Sequence, residues 1–203
     1  LDQDIKKSLE FGYERKCGIA QDENALQELI IKINTIPRVD FEKEIVKYIN
    51  VEKYICWLAG VIFTQNYDGF VHNYALYRNG ETGLFEVIPW DYDATWGRDI
   101  NGEVMDEDYV RIEGFNTLTA RILDVKTFRN QYKKRLEDIL SNQFTLEFMK
   151  PKIQETFELI RPYVLKDPYV KEQIHLFDKE PDFICQYIEA RAKYISNQLY
   201  ILD

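Results

Sequence analysis

Asn66-Tyr67-Asp68-Gly69-Phe70-Val71-His72-Asn73-Tyr74 and Ile88-Pro89-Trp90-Asp91-Tyr92-Asp93-Ala94-Thr95-Trp96-Gly97 are the stretches that decide the fold. The first opens on a turn-forming cluster, Asn66 to Gly69, whose side chains favour tight reversals. Residues 73–78 then read as a strand, and Leu84 to Ile88 as its return. Asn79-Gly80-Glu81-Thr82-Gly83 between them is a strong reversal signal. Pro89 ends the second strand because proline has no N–H to donate to a ladder. Residues 73–89 are therefore expected to form a β-hairpin. Its open end carries Asn73 on one strand and Asp91 just beyond the other. Asp68, five residues before Asn73, is expected on the same side.

Working outward, the surroundings read as helical. Asp22 or Asn24 is placed to cap a helix carrying Leu26, Leu29, Ile30 and Ile33 on one face. Pro37 ends that region. A longer helix is expected from Asp40 to Phe63, with Ile45, Ile49, Ile55, Leu58 and Ile62 near helical spacing and its C-terminal half buried. Residues 90–114 have no clear period; a loop that long in a compact domain is usually functional or disordered. Trp90 and Trp96 favour an ordered one and are expected to pack in the core. Beyond it, Phe128, Tyr132, Leu136 and Ile139 form a stripe that Asp124 is placed to cap. A helix over 145–163 carries Phe148, Ile153, Phe157 and Ile160. Pro168 breaks the chain. The last helix starts near Pro181, a favoured first-turn position, and carries Ile184, Ile188, Tyr194, Ile195 and Leu199. The expected fold class is mainly α with a small β-hairpin (α+β), as one domain over 1–203 with an irregular lead-in at 1–20.

Composition bounds the function. The 203 residues are 45% hydrophobic, enough for a packed core, and the net charge is −9. Disorder and collagen-like repeats are excluded. The acidic balance disfavours a phosphate-backbone binder, so no nucleic-acid partner is expected. The most apolar run, Tyr54 to Phe63, is too short for a bilayer, which takes about 20 residues; no membrane association is expected. No signal peptide is visible. Cys17, Cys56 and Cys185 contain no CxxC pair and are expected as buried free thiols. His72 and His175 share no ligand spacing.

Asp68, Asn73 and Asp91 suit a divalent metal and a hydroxyl. Mg²⁺ is a hard cation that takes carboxylate and amide oxygens and keeps phosphate or water ligands. Asn73 and Asp91 supply two such oxygens. Asp68 can accept a hydrogen bond from an attacking alcohol. That division of labour is what phosphoryl transfer needs, because catalysis there is mostly positioning and charge neutralisation. Asp68-x4-Asn73, a hairpin and Asp91 also follow the order of a protein-kinase catalytic loop and metal aspartate. The flanks differ: Asn66-Tyr67 stands where His-Arg would precede the aspartate, and Tyr92-Asp93 follows Asp91 instead of Phe-Gly.

These two stretches, with Arg161-Pro162-Tyr163 further on, resemble the CotH kinase family from about Tyr13 to the C-terminus, and Pro-Trp-Asp-Tyr-Asp is the most specific piece. The resemblance implies an atypical protein-kinase-like fold, here chiefly its C-terminal lobe. It implies an enzyme that uses ATP with Mg²⁺ or Mn²⁺ to phosphorylate serines of spore coat proteins, and a location in the bacterial spore coat. It makes Asp68 the catalytic aspartate and Asp91 the metal aspartate. Asn73 follows by position as the second metal ligand, with Asp93 a further candidate. His72, Trp90 and Arg98 are weaker candidates for nucleotide or substrate; for Arg98 and Arg111, surface pairs with Asp99 or Glu113 are the alternative. Before residue 20 there is no Gly-rich loop and no room for a nucleotide-covering lobe. Since the sequence begins at Leu1, a fragment or processed product is expected, with little or no activity alone. Two other readings stay open: a catalytically silent coat scaffold, and a paired-carboxylate hydrolase, whose chemistry leaves Asn73 unexplained.

Overall fold

A computed structural model describes residues 12–19 and 21–203, with only the backbone of Gln21. The lead-in expected at 1–20 is irregular over residues 12–19; the rest of it lies outside the described residues. In chain order come α1 (Gln21–Thr35), a 3-10 turn (Arg38–Asp40), α2 (Phe41–Ile45), α3 (Val51–Thr64) and α4 (Asp68–Val71). The hairpin β1 (Tyr74–Arg78) and β2 (Phe85–Pro89) follows. The remainder is α5 (Thr117–Asp124), α6 (Lys126–Asn142), α7 (Leu146–Val164), a short 3-10 turn, α8 (Ile174–Phe177), α9 (Glu180–Gln198) and a final 3-10 turn (Leu199–Leu202). The mostly helical class with one small antiparallel sheet agrees with the sequence reading.

The centre of the molecule is α3. Val51, Tyr54, Ile55, Trp57, Leu58, Ala59, Val61, Ile62 and Phe63 are all buried. A helix apolar on nearly every side belongs inside a core, and each such side chain contributes about 1.5–3 kcal/mol by leaving water. It packs against α6, through Tyr132 and Leu136, and against β2. Its one solvent stripe holds Glu52, Lys53 and Cys56. That corrects the expectation for the cysteines: Cys56 and Cys17 are exposed and Cys185 is half-buried.

The single helix expected from Asp40 to Phe63 is broken. Residues 46–50 leave helical geometry, and Ile49 makes a parallel bridge to Phe85. Phe85 donates to the Tyr48 carbonyl at 2.8 Å, and Asn50 N–H to the Phe85 carbonyl at 2.9 Å. Asn50 then caps α3, its side chain accepting from Lys53 N–H at 3.1 Å. An Asn cap inside an apolar period is a physical stop that periodicity hides. Likewise Asp124 ends α5 and does not cap α6; its carboxylate pairs with Arg38. The helix α5 itself, capped by Asn116 on Thr119 N–H at 2.8 Å, has no counterpart among the individual helices read from sequence.

The hairpin holds the register Tyr74↔Pro89 through Arg78↔Phe85. Asn79 makes its turn: the side-chain oxygen accepts from Glu81 and Thr82 N–H at 2.9 and 3.2 Å. Glu86 of β2 is buried but paired with Lys53 at 2.7 Å. Two further expectations hold closely, α7 over 146–164 and α9 with Pro181 in its first turn.

Candidate active site

The site begins where α3 ends. The last four carbonyls of a helix have no partner within it, and here all four are taken up from elsewhere. Val61 O accepts from Asn66 N–H at 3.0 Å, and Thr64 O from Trp96 N–H at 2.9 Å. Phe63 O accepts from the Tyr187 hydroxyl at 2.7 Å. Ile62 O accepts twice from Arg191, at 2.7 and 3.0 Å. Gln65 turns the chain at φ 53° and anchors to the Asp106 carbonyl through Nε2 at 2.8 Å. Gly97, beside Trp96, has φ 90°, and a Cβ there would lie 2.7 Å from the Tyr187 ring. Glycine is therefore required.

From this fixed point the chain enters α4. Buried Asn66 accepts from Gly69 N–H at 2.8 Å, and a Cβ on Gly69 would press on its amide at 3.0 Å. The Asp68 carbonyl accepts from His72 N–H at 2.8 Å and Asn73 N–H at 3.0 Å. The side chains also meet: Asn73 Nδ2 donates to Asp68 Oδ2 at 2.8 Å. Asp68 and Asn73 are thus joined twice across the length of α4. With its amide nitrogen committed, Asn73 keeps its amide oxygen as an acceptor.

Asp91 follows from the register. Tyr74 pairs with Pro89, and neighbouring strands lie about 4.8 Å apart. Asn73 and Trp90 therefore leave the hairpin side by side, and Asp91 is one residue further. Its backbone is left-handed, φ 56°, and its exposed carboxylate has no hydrogen-bond or ion-pair partner among the described residues. Tyr92 turns back inward. Burial raises its phenol pKa, and the N–H groups of Asn66 and Trp57 that face it offset part of the rise. Neither donor completes a hydrogen bond in good geometry. Thr95 closes the turn by donating to the Tyr92 carbonyl at 2.6 Å.

The other candidates are placed less centrally. Asp93 is exposed and accepts from Ala94 N–H at 2.9 Å. Among the described residues no three or more His, Cys, Asp or Glu side chains gather as a metal-binding group. His72 is exposed at the end of α4. Trp90, expected in the core, is 68% exposed; as the residue after the last paired one, it has no layer above it. Trp96 is half-buried, stacked on Phe144 at 6.0 Å. Arg98 does not pair with Asp99: its fork grips Glu180 at 2.6 and 3.2 Å over the Phe183 ring. Arg111 lies over Phe115 at 5.0 Å.

Beside Asp68 is an aromatic ledge. Tyr67 meets Tyr109 and Phe115 edge-on at 5.7 and 5.4 Å, and all three are exposed. Two surface hollows lie elsewhere, one of about 610 Å³ by Arg98 and Phe183 and one of about 280 Å³ between α7 and α9 over Trp96. Neither is lined by Asp68, Asn73 or Asp91.

The family model described as CotH kinase protein matches residues 1–195. The chain belongs to the CotH family. It is 61% identical over 202 residues to inner spore coat protein H of Bacillus subtilis (strain 168), covering 100% of this chain and 56% of that protein. It is 28% identical over 174 residues to the inner spore coat protein H-like protein of the same organism, covering 86% of this chain and 53% of that one. This CotH chain thus spans about half the length of the curated relatives it matches. No helix among its described residues is long and apolar enough to cross a membrane.

Arg191, Tyr187, Gln65 and Tyr92 buttress the candidate site of this CotH chain and were not legible as such. A signal for Arg191 exists: it falls on the 184/188/191/195 stripe of α9, a charge where the period asks for an apolar residue. Tyr187 and Tyr92 had no comparable mark.

Proposed function

We propose that this chain carries the catalytic aspartate and metal-binding residues of an ATP-dependent protein serine kinase of the spore coat. The observation that carries the reading is the Asn73–Asp68 hydrogen bond at 2.8 Å, at the hairpin end where Asp91 leaves its strand. Scaffolding has no use for that pairing, and a paired-carboxylate hydrolase has none for Asn73. Family membership and the name of the relative at 61% identity support the spore coat location, and coat proteins as substrates are part of the proposal.

The donor set fits Mg²⁺ or Mn²⁺ held together with phosphate oxygens. Such ions are bound by one or two carboxylates plus substrate phosphates, not by an all-protein cage. Asp91 and the Asn73 amide oxygen would hold the ion, with Asp93 near enough in sequence to assist. When bound, the ion neutralises charge on the phosphates of ATP. Asp68 orients the seryl hydroxyl and accepts its proton as the serine oxygen bonds to the γ-phosphorus and the bond to the β-phosphate oxygen breaks. Asn73 holds the Asp68 carboxylate in place through its amide N–H.

The test uses the full natural protein, radiolabelled ATP and a serine-rich coat protein. Asp68→Ala should lower kcat by about 10²–10⁴-fold, the usual worth of a general base, with nucleotide binding kept. Asp91→Ala should weaken binding of the metal–nucleotide complex. Labelling retained in both variants would refute the assignment.

A further inference from the structure

We propose that Arg191 is a positioning residue of the candidate site: it locks the end of α3 that leads into Asp68 to the loop that carries Tyr109. Arg191 is completely buried. Among the described residues all its hydrogen bonds go to main-chain carbonyls. Nε and Nη2 donate to Ile62 O at 3.0 and 2.7 Å, Nη1 to Glu107 O at 2.6 Å, and Nη2 to Val110 O at 2.7 Å. The Tyr194 ring lies against the guanidinium at 4.9 Å.

A buried cation without a carboxylate partner is expensive. Burial accordingly lowers the pKa of Arg191. The charge is tolerated because it stands at the negative end of α3, where a helix C-terminus favours a cation by up to about 2 kcal/mol in partly buried settings. Stability alone gives little reason to keep it, since well-packed apolar residues often replace buried charges at no loss. Geometry gives a reason. Only a planar fork with five donors reaches three carbonyls in different directions; an ammonium on a flexible stem does not.

The three carbonyls belong to segments that frame Asp68. Ile62 lies six residues ahead of it, and Tyr187 and Trp96 bind the adjoining carbonyls. Glu107 and Val110 flank Tyr109, whose ring meets Tyr67, the neighbour of Asp68, at 5.7 Å. Fixing one loop against the other sets the ledge on which an acceptor segment would lie. This kinetic consequence rests on the kinase reading; the mechanical one does not.

Two readouts on the full natural protein separate them. By hydrogen exchange, Arg191→Lys should speed amide exchange over 62–73 and 105–111 about tenfold, the worth of one lost charge-assisted hydrogen bond. Exchange over 126–142 should stay as in the wild type. Leu136→Ala, a core truncation in α6, serves as the control: it should lower thermal stability at least as much but raise exchange in α3 and α6 together. In steady-state assays below both melting temperatures, Arg191→Lys should lower kcat about tenfold with KM for the nucleotide little changed. Leu136→Ala should keep the wild-type kcat. Arg191→Gln, which is shorter, neutral and has only two N–H donors, should be at least as affected as Arg191→Lys in both readouts. Wild-type exchange over 62–73 in Arg191→Lys, or a general rise matching Leu136→Ala, would overturn the proposal. So would failure of both Arg191 variants to fold while Leu136→Ala folds. A wild-type protein that transfers no phosphate would sink the kinase reading, and the exchange pattern would still decide the role of Arg191.

Discussion

Asp91 holds a left-handed backbone, φ 56°, that glycine would adopt freely. For an L side chain this conformation costs on the order of 1 kcal/mol. Among the described residues nothing inside the fold answers this strain, which fits the proposed role of Asp91 toward a ligand. Asp91→Gly should therefore raise the unfolding free energy in urea by about 1 kcal/mol while removing the carboxylate proposed to hold the metal. Loss of stability in Asp91→Gly would show that the carboxylate does structural work instead. Gln65 shares the conformation, φ 53°, but its side chain is tied to the Asp106 carbonyl, so its strain is answered within the fold. At this scale the sequence was informative where polar residues sit at turns. Asp68, Asn73 and Asp91 stand at a reversal whose geometry is local. Arg191 bonds to carbonyls 129 and 81 residues away, and main-chain acceptors leave no trace in a sequence.

Among the elements, the hairpin was legible because Asn79 builds its own turn, and α9 because Pro181 marks its start. The junction between α2 and α3 was not. Ile45, Ile49 and Ile55 keep a nearly helical period across it, yet Ile49 serves a bridge to Phe85 and Asn50 starts a new helix. The break matters to the site, because it lets residues 48–50 clasp β2 while α3 runs beneath the hairpin. Asn50→Ala removes a cap and should cost about 1 kcal/mol in urea unfolding. Asn50→Asp should restore most of it, since aspartate caps as well and sits at the positive end of the helix. An Asn50→Ala variant as stable as wild type would mean that the bridge alone, not the cap, sets the boundary.

For the molecule as a whole, buried tyrosines set the alkaline limit. Burial raises the Tyr54 phenol to about 12, and also pushes up Tyr132 and Tyr187. A folded pKa above the unfolded value near 10 means that the native state holds the proton longer. Stability is then complete below pH 10 and falls as pH rises from 10 through 12. Tyr54 alone accounts for about 3 kcal/mol over that window, at roughly 1.4 kcal/mol per unit. Tyrosinate absorbance should rise together with loss of helical circular dichroism, in one steep transition; a gradual rise while the helices persist would refute this. The four carbonyls at the end of α3 have a consequence in time as well as in space. Asn66 lies next to them, Trp96 some thirty residues on, and Tyr187 and Arg191 near the far end of the chain. On the ribosome Asp68 emerges long before α9, so Tyr187 and Arg191 reach the α3 carbonyls only well after it is made. A growing chain that has not yet reached α9 therefore holds Asp68 without the groups that fix the end of α3 ahead of it.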